Sequence, residues 1–194
     1  MTVMKSKAAC RAMTLAALAL ALAPRPVLAA GKTFENSELK YRIELPDQCR
    51  HVEGPGTLEA VCAPDLDTKA SADIAAAAAL LLEIDAEAVP SDAKAYSLAE
   101  FRDELPDAVC GESDAAKVTL SNVAENKTGD VTTYSAVIAC PAIGFLGLPE
   151  RTAEARYVIT PGLRYRLMAR VPKGDVAKAK PAMDAFFASF KTDR

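Results

Sequence analysis

From Phe34 to Pro46 the apolar residues Leu39, Tyr41, Ile43 and Leu45 alternate with Lys40, Arg42 and Glu44. A two-residue period is that of a strand buried on one face and wet on the other, so the spacing predicts an opening strand or hairpin. Gln48 to Gly56 is polar and holds Gly-Pro-Gly, which reads as a turn region; Thr57 to Cys62 reads as a second strand before the Pro64-Asp65 break. Ala72 to Asp85 carries two patterns at once. Five consecutive alanines and three leucines favour helix by propensity. A continuous apolar run ending in Leu82, Glu83, Ile84, Asp85 fits a central strand covered on both faces equally well.

Ser97 with Glu100 three residues on forms a capping box. It predicts a helix through Glu104 with Leu98, Phe101 and Leu105 on one side and Pro106 as its end or kink. Lys117 to Asn126 and Val131 to Cys140 predict a hairpin around Lys127-Thr128-Gly129-Asp130. Ala153 to Thr160 and Leu163 to Val171 predict another around Pro161-Gly162, a dipeptide suited to a type II turn. Pro141 to Pro149 is a loop rich in apolar residues for its length. Val176, Ala179, Met183, Phe186, Phe187 and Phe190 recur at helical spacing, so Asp175 to Thr192 is expected to be a closing helix. Strands gathered in runs, with a helix between and a helix last, predict an α+β domain on an antiparallel sheet rather than a parallel doubly wound one.

The first thirty residues differ from the rest. Lys5, Lys7 and Arg11 precede an unbroken run from Ala12 to Ala23 of Ala, Leu, Met and one Thr, the form of a secretory signal peptide. Twelve residues of helix span only about 18 Å, against roughly 30 Å of bilayer core. Cleavage is expected after Ala29 or Ala30, so residues 1–30 are taken as signal and 31–194 as one globular domain, periplasmic or secreted. No cysteine follows the apolar run in the position a lipid anchor requires. The expected mature chain has no later run of eighteen apolar residues and so no transmembrane segment. The chain of 194 residues has a formal charge of −3. Removing Lys5, Lys7, Arg11 and Arg25 and no acid leaves 19 basic against 26 acidic residues, a net −7. That balance argues against nucleic acid and anionic lipid as partners.

Cys49, Cys62, Cys110 and Cys140 remain after cleavage. An even count in an oxidising compartment reads as two disulfides. Three connectivities are open; Cys49 with Cys62 and Cys110 with Cys140 is the pairing we expect, since each would staple neighbouring elements. Zinc is disfavoured because no C-x-x-C spacing occurs and only one histidine is present.

Two segments carry a family resemblance. Leu39-Lys40-Tyr41-Arg42-Ile43-Glu44-Leu45-Pro46, preceded by Phe34, resembles the opening strand of the PsbP-like superfamily, which includes bacterial DcrB-like envelope proteins and a eukaryotic Ran-binding factor. Met183-Asp184-Ala185-Phe186-Phe187-Ala188-Ser189-Phe190-Lys191 resembles that superfamily's closing helix with its Ser-Phe-Lys-like end. The resemblance implies an antiparallel sheet flanked by helices on both faces, a PsbP-like α/β/α sandwich, and on that ground Ala72 to Asp85 is taken as a central strand. It implies an accessory or binding role and brings no shared catalytic site. Plant members associate with photosynthetic membranes and metal ions through residues that have no match here. The four cysteines depart from the usual pattern and point to a secreted sub-branch.

The residues that could carry chemistry are few. His51 is the sole histidine and lacks an accompanying nucleophile signature, so it reads as a surface residue beside a disulfide. Glu83, Asp85 and Glu87 fall on one side of an extended strand, an arrangement that could hold a cation but also describes solvated strand-end acids. Asp65-Leu66-Asp67 lacks the glycine and terminal glutamate of a calcium loop. Arg164, Arg166 and Arg170 share one parity on the last strand, with Arg156 on the facing strand and Lys173, Lys178 and Lys180 following; such a row could bind a carboxylate, a phosphate or an acidic partner, or be an ordinary solvated or ion-paired face. Phe145 and Leu146 could tip the apolar loop and insert into a partner or a lipid surface, or fold back as a lid on the sheet. Asn126-Lys127-Thr128 is a glycosylation sequon. We expect no cofactor, no metal site and no catalytic residue: an exported accessory protein with an envelope partner, or failing that a carrier or sensor of a small acidic or amphipathic ligand held by Arg164 or Arg166. An enzyme of unrecognised class is the least favoured expectation.

Overall fold

Alternation, turn chemistry and two amphipathic helices are realised in a computed structural model that describes residues 31–47, 49–62, 79–111, 117–143 and 148–193. The strands are β1 (Lys32–Asn36), β2 (Tyr41–Leu45), β3 (Cys49–Gly54), β4 (Thr57–Cys62), β5 (Leu80–Ala88), β6 (Thr119–Thr128), β7 (Val131–Cys140), β8 (Arg151–Thr160), β9 (Leu163–Pro172) and β10 (Lys191–Thr192). The helices are α1 (Leu98–Cys110) and α2 (Val176–Ser189). Seven strands form one sheet in the order β3-β4-β5-β9-β8-β7-β6, and β1-β2-β10 form a second. Every strand pairing is antiparallel. The fold is α+β.

Strand β5 is central, between β4 and β9, as the apolar run from Leu80 requires. Residues 72–78 of the ambiguous segment lie outside the described residues. Four expectations are corrected. Cys49–Gly54, expected as a turn, is strand β3, because its register with β4 sets Cys49 opposite Cys62 and those two are disulfide-bonded. Pro106 sits inside α1 without ending it: Phe101, Leu105, Val109 and Cys110 bury one helical stripe, and that burial outweighs the backbone hydrogen bond proline lacks. The closing helix stops at Ser189, after which Lys191 and Thr192 pair with Arg42 and Tyr41. The opening hairpin therefore belongs with the C-terminus in its own small sheet rather than in the large one.

The Pro161-Gly162 turn joins β8 to β9 with Gly162 at φ 84°, the positive value the second central position of a type II turn demands. Along β8 and β9 successive side chains alternate between two buried clusters. Val158, Tyr165, Leu167, Ala169 and Val171 join Ala179, Met183, Phe186 and Phe187 of α2, together with Tyr41, Ile43 and Leu45 of the small sheet. Ala153, Ala155 and Tyr157 join Phe101, Leu105 and Val109 of α1, with Tyr134, Ala136 and Ile138 of β7. At the outer margin, β6 is exposed along most of its length and is broken by a bulge between Ser121 and Ala124, where Asn122 adopts φ 52°.

Candidate functional site

The acidic row of β5 and the basic row of β9 fall on the same face and meet. The register places Asp85 opposite Arg166 and Glu87 opposite Arg164. Arg164 pairs with Glu87, Arg166 with Asp85, and Arg170 reaches back to Glu83 at 2.5 Å. Helix α1 closes the ladder from above. Glu104 accepts from Arg166 at 3.1 Å and from Tyr96 Oη at 2.7 Å, and the Val109 carbonyl accepts from Arg170 at 3.2 Å. Two features that the sequence presents as separate candidates, a cation-binding acid row and an anion-binding arginine row, thus neutralise each other.

Electrostatics follow from depth. The Arg170 and Glu83 side chains are only 20% and 19% exposed; burial pushes the Glu83 carboxyl above its ordinary value, and the nearby Arg170 charge recovers only part of that. Burial also works against the Arg166 charge, but Asp85, Glu104 and their neighbours together hold its ionisation above the ordinary value. Tyr96 and Tyr157 are pushed well up, first by burial and then by Glu104, whose bond from the Tyr96 hydroxyl adds to the effect. The Tyr157 hydroxyl is buried with no hydrogen-bond partner.

Arg156 is corrected. It stands opposite Leu167 and therefore on the other face from Arg164, Arg166 and Arg170. There it lies 4.8 Å over the Phe187 ring and donates to the Phe187 carbonyl at 3.1 Å, near the α2 C-terminus, where a cation is favoured. Of the lysines expected to extend the row, Lys173 pairs with Glu150 at 2.6 Å, Lys180 pairs with Glu154 and Asp184, and Lys178 is exposed. His51 sits on β3 with its ring 4.5 Å from Phe34, and Lys32 Nζ lies 3.2 Å from its Nε2.

Phe145 and Leu146 lie outside the described residues, as does Asp65-Leu66-Asp67. The backbones of Ile143 and Leu148 bond reciprocally at 3.0 and 3.1 Å, which brings the two ends of that apolar segment together. Asn126 of the sequon is exposed on β6. Among the described residues no cluster of three or more His, Cys, Asp or Glu could hold a metal ion. The cysteines pair as Cys49–Cys62 and Cys110–Cys140.

A concave feature that sequence reasoning missed opens at one end of the ladder. It is a cavity of about 740 Å³ lined by Glu87, Pro90, Ala95, Tyr96, Ile159 and Arg164 among others. Arg164 stacks 5.0 Å over the Tyr96 ring, and Lys94 pairs with Glu100 at 3.0 Å. The segment between β5 and α1 reads as a polar connector in sequence; its folding against the β8–β9 turn makes it a wall.

The fold matches solved proteins. The cyanobacterial PsbP (CyanoP) of Synechocystis sp. PCC 6803 superposes with a TM-score of 0.60 at 14% identity, over 90% of this chain and 99% of that one. The fold is PsbP-like. LpqN of Mycobacterium tuberculosis, described as involved in cell envelope biogenesis, superposes at TM-score 0.55 and 12% identity over 84% of this chain and 86% of its own. A Bacteroides thetaiotaomicron structure shares the PsbP-like fold at TM-score 0.51 and 16% identity, and there the chain spans 49% of the longer protein. In sequence the chain matches no protein-family model and no curated protein. Among the described residues no helix is long and apolar enough to cross a membrane.

Proposed function

We propose that the protein is an exported accessory or binding module of the cell envelope, non-catalytic, with residues 1–30 as a cleaved signal peptide and 31–194 as the working domain in the periplasm or outside the cell. The observation that carries this reading is the cavity beside the ladder: concave, largely apolar, with a few polar groups, the form of a site that holds a ligand or a partner's side chains. Two disulfides support an oxidising compartment, and a neighbour of the same fold is described as acting in envelope biogenesis. The opposite parities by which β8 and β9 feed the α1 and α2 clusters support an α/β/α sandwich with one helix on each face.

The test is affinity capture of a partner from the native envelope fraction at low and high salt, comparing wild type with Ala95→Trp, which adds bulk at the cavity lining, and with Phe145→Ser/Leu146→Ser. A partner lost with Ala95→Trp supports the cavity. One lost only with the loop variant moves the site to residues 145–146. A partner indifferent to both, or none at all, overturns the reading.

The cavity also favours a second reading, a carrier of a small acidic or amphipathic ligand. Arg164 would serve as counter-ion only by exchanging Glu87 for the ligand, since the two are paired. A ligand present at 100 times its dissociation constant would raise stability by about 2.7 kcal/mol, a gain that Arg164→Gln should abolish.

A further inference from the structure

The β8–β9 turn has a concavity on each side. Successive side chains of a strand point to opposite faces, so Arg164 borders the cavity already described, whereas Leu163 and Tyr165 face the cluster shared with the small sheet. There a second cavity, of about 370 Å³, opens where the β6–β7 turn and the end of β10 come together. The two cavities have only Pro161 in common.

The floor of the second cavity is fixed in place. The Tyr165 ring is 1% exposed and is held against Tyr41 and Phe190, with centroids at 6.1 and 5.3 Å. Its hydroxyl donates to the Leu39 carbonyl at 2.9 Å. Val131 and Leu163 are only partly buried and give the cavity aliphatic surface. Lys40, Asp130 and Asp193 also line it, and all three are exposed, so water reaches their charges. Among the described residues no ion pair joins any of the three to another charge. This is the reverse of the β5–β9 ladder, where each arginine meets its acid. Lys40 and Asp193 are neighbours in the backbone, the Asp193 N–H donating to the Lys40 carbonyl at 2.9 Å, yet their side-chain charges stay apart. The Asp193 carboxylate acts on the floor instead: the Tyr165 hydroxyl is held above its ordinary ionisation first by burial and also by that charge. Lys40 itself has φ 52°, a left-handed conformation that glycine or asparagine adopts at less cost, so the turn alone does not account for a lysine there.

We propose that this second cavity binds a free amino acid with an aliphatic side chain, its carboxylate met by Lys40 and its ammonium by Asp130 and Asp193. Opposite charges that border one space without meeting each other are bridged by a molecule that carries both signs. A simple anion would face two carboxylates, and a simple amine would face Lys40. Val131, Leu163 and the Tyr165 ring receive the aliphatic side chain. The volume lies near the lower end of ligand pockets, which run from about 300 to about 1,000 Å³, and suits a molecule of amino-acid size rather than a lipid. The site is separate from the larger cavity and independent of the reading given above.

The probes are leucine, isocaproate, which lacks the amine, isoamylamine, which lacks the carboxylate, and glycine, which lacks the side chain. They are read by thermal unfolding of the purified protein and by its backbone amide resonances in NMR. Leucine is expected to raise the melting temperature saturably and to shift the amides of Lys40, Asp130 and Asp193 while leaving those of Ala95 and Tyr96 in place. Each of the other three should bind about tenfold or more weakly, the effect of losing one charge-assisted bond or the apolar contact. Lys40→Gln should weaken leucine by a similar factor and leave isoamylamine no weaker. The wild-type shifts decide the matter even if the variant folds poorly. No response to leucine, shifts at Ala95 and Tyr96 instead, isocaproate or isoamylamine binding as tightly as leucine, or leucine binding unchanged in Lys40→Gln would each overturn the proposal.

Discussion

Strand β9 presents two faces built on opposite principles. Tyr165, Leu167, Ala169 and Val171 enter an apolar cluster with α2 and the small sheet, whereas Arg164, Arg166 and Arg170 enter a ladder of carboxylates roofed by α1. The first face is held by removal of surface from water, which is non-directional. The second is held by paired charges with fixed partners; partial burial makes each pair modest in net energy but severe when broken. One face therefore supplies stability and the other fixes where α1 sits.

The contrast can be broken from either side. Phe186→Ala in α2, 1% exposed, should cost about 3–5 kcal/mol by transfer and cavity terms, measured by urea unfolding. A cost below about 1 kcal/mol would mean that the apolar face is not the main source of stability. Replacing Cys110 and Cys140 by Ala opens a loop with a sequence separation of 30 and should cost about 3–4 kcal/mol in the chain-entropy model, with hydrogen exchange rising most in α1.

On the charged face, Arg170→Gln strands the Glu83 carboxylate. After discounting for solvent screening the expected loss is about 1–2 kcal/mol, and adding Glu83→Gln should restore part of it; a double variant as poor as the sum of the singles would deny the coupling. Ser97→Ala removes the hydroxyl oxygen that accepts from the Glu100 backbone N–H and should cost about 1 kcal/mol. The smallest effect is one of pH. The native Glu83 carboxyl holds its proton above the ordinary value of 4.5, so the native state binds more protons than the unfolded chain. Its contribution to stability is then fullest below that value and falls as pH rises through the native value. Glu83→Gln should flatten this decline in a series of unfolding curves, and an unchanged slope would remove Glu83 as its source.

Much of this was legible in the chain. Alternation in Tyr41–Leu45, the capping box at Ser97 and the turn at Pro161-Gly162 each depend on neighbouring residues alone, and all three formed as the pattern implied. What escaped was set by distant partners. Cys49–Gly54 is polar enough for a turn and becomes a strand because β4 lies beside it. Lys191 and Thr192 leave the helix because β2 has an open edge. The arginines showed their parity but not their neutralisation, since Glu83 and Arg170 lie 87 residues apart and only the register of β5 on β9 joins them. The cavity was invisible for the same reason, its walls coming from a connector and a turn distant in sequence.

The bulge in β6 has a consequence for how molecules of this protein meet one another. A ten-residue outermost strand with free backbone donors and acceptors is a template on which a second copy could add its own strand, and repetition of that step makes fibres. The extra residue between Ser121 and Ala124, with Asn122 turned to positive φ, throws that template out of step, and the Glu125–Lys127 ion pair beyond it would have to be stripped of water for a close approach. Deleting one residue there should straighten the margin and promote strand-to-strand polymerisation, read by light scattering.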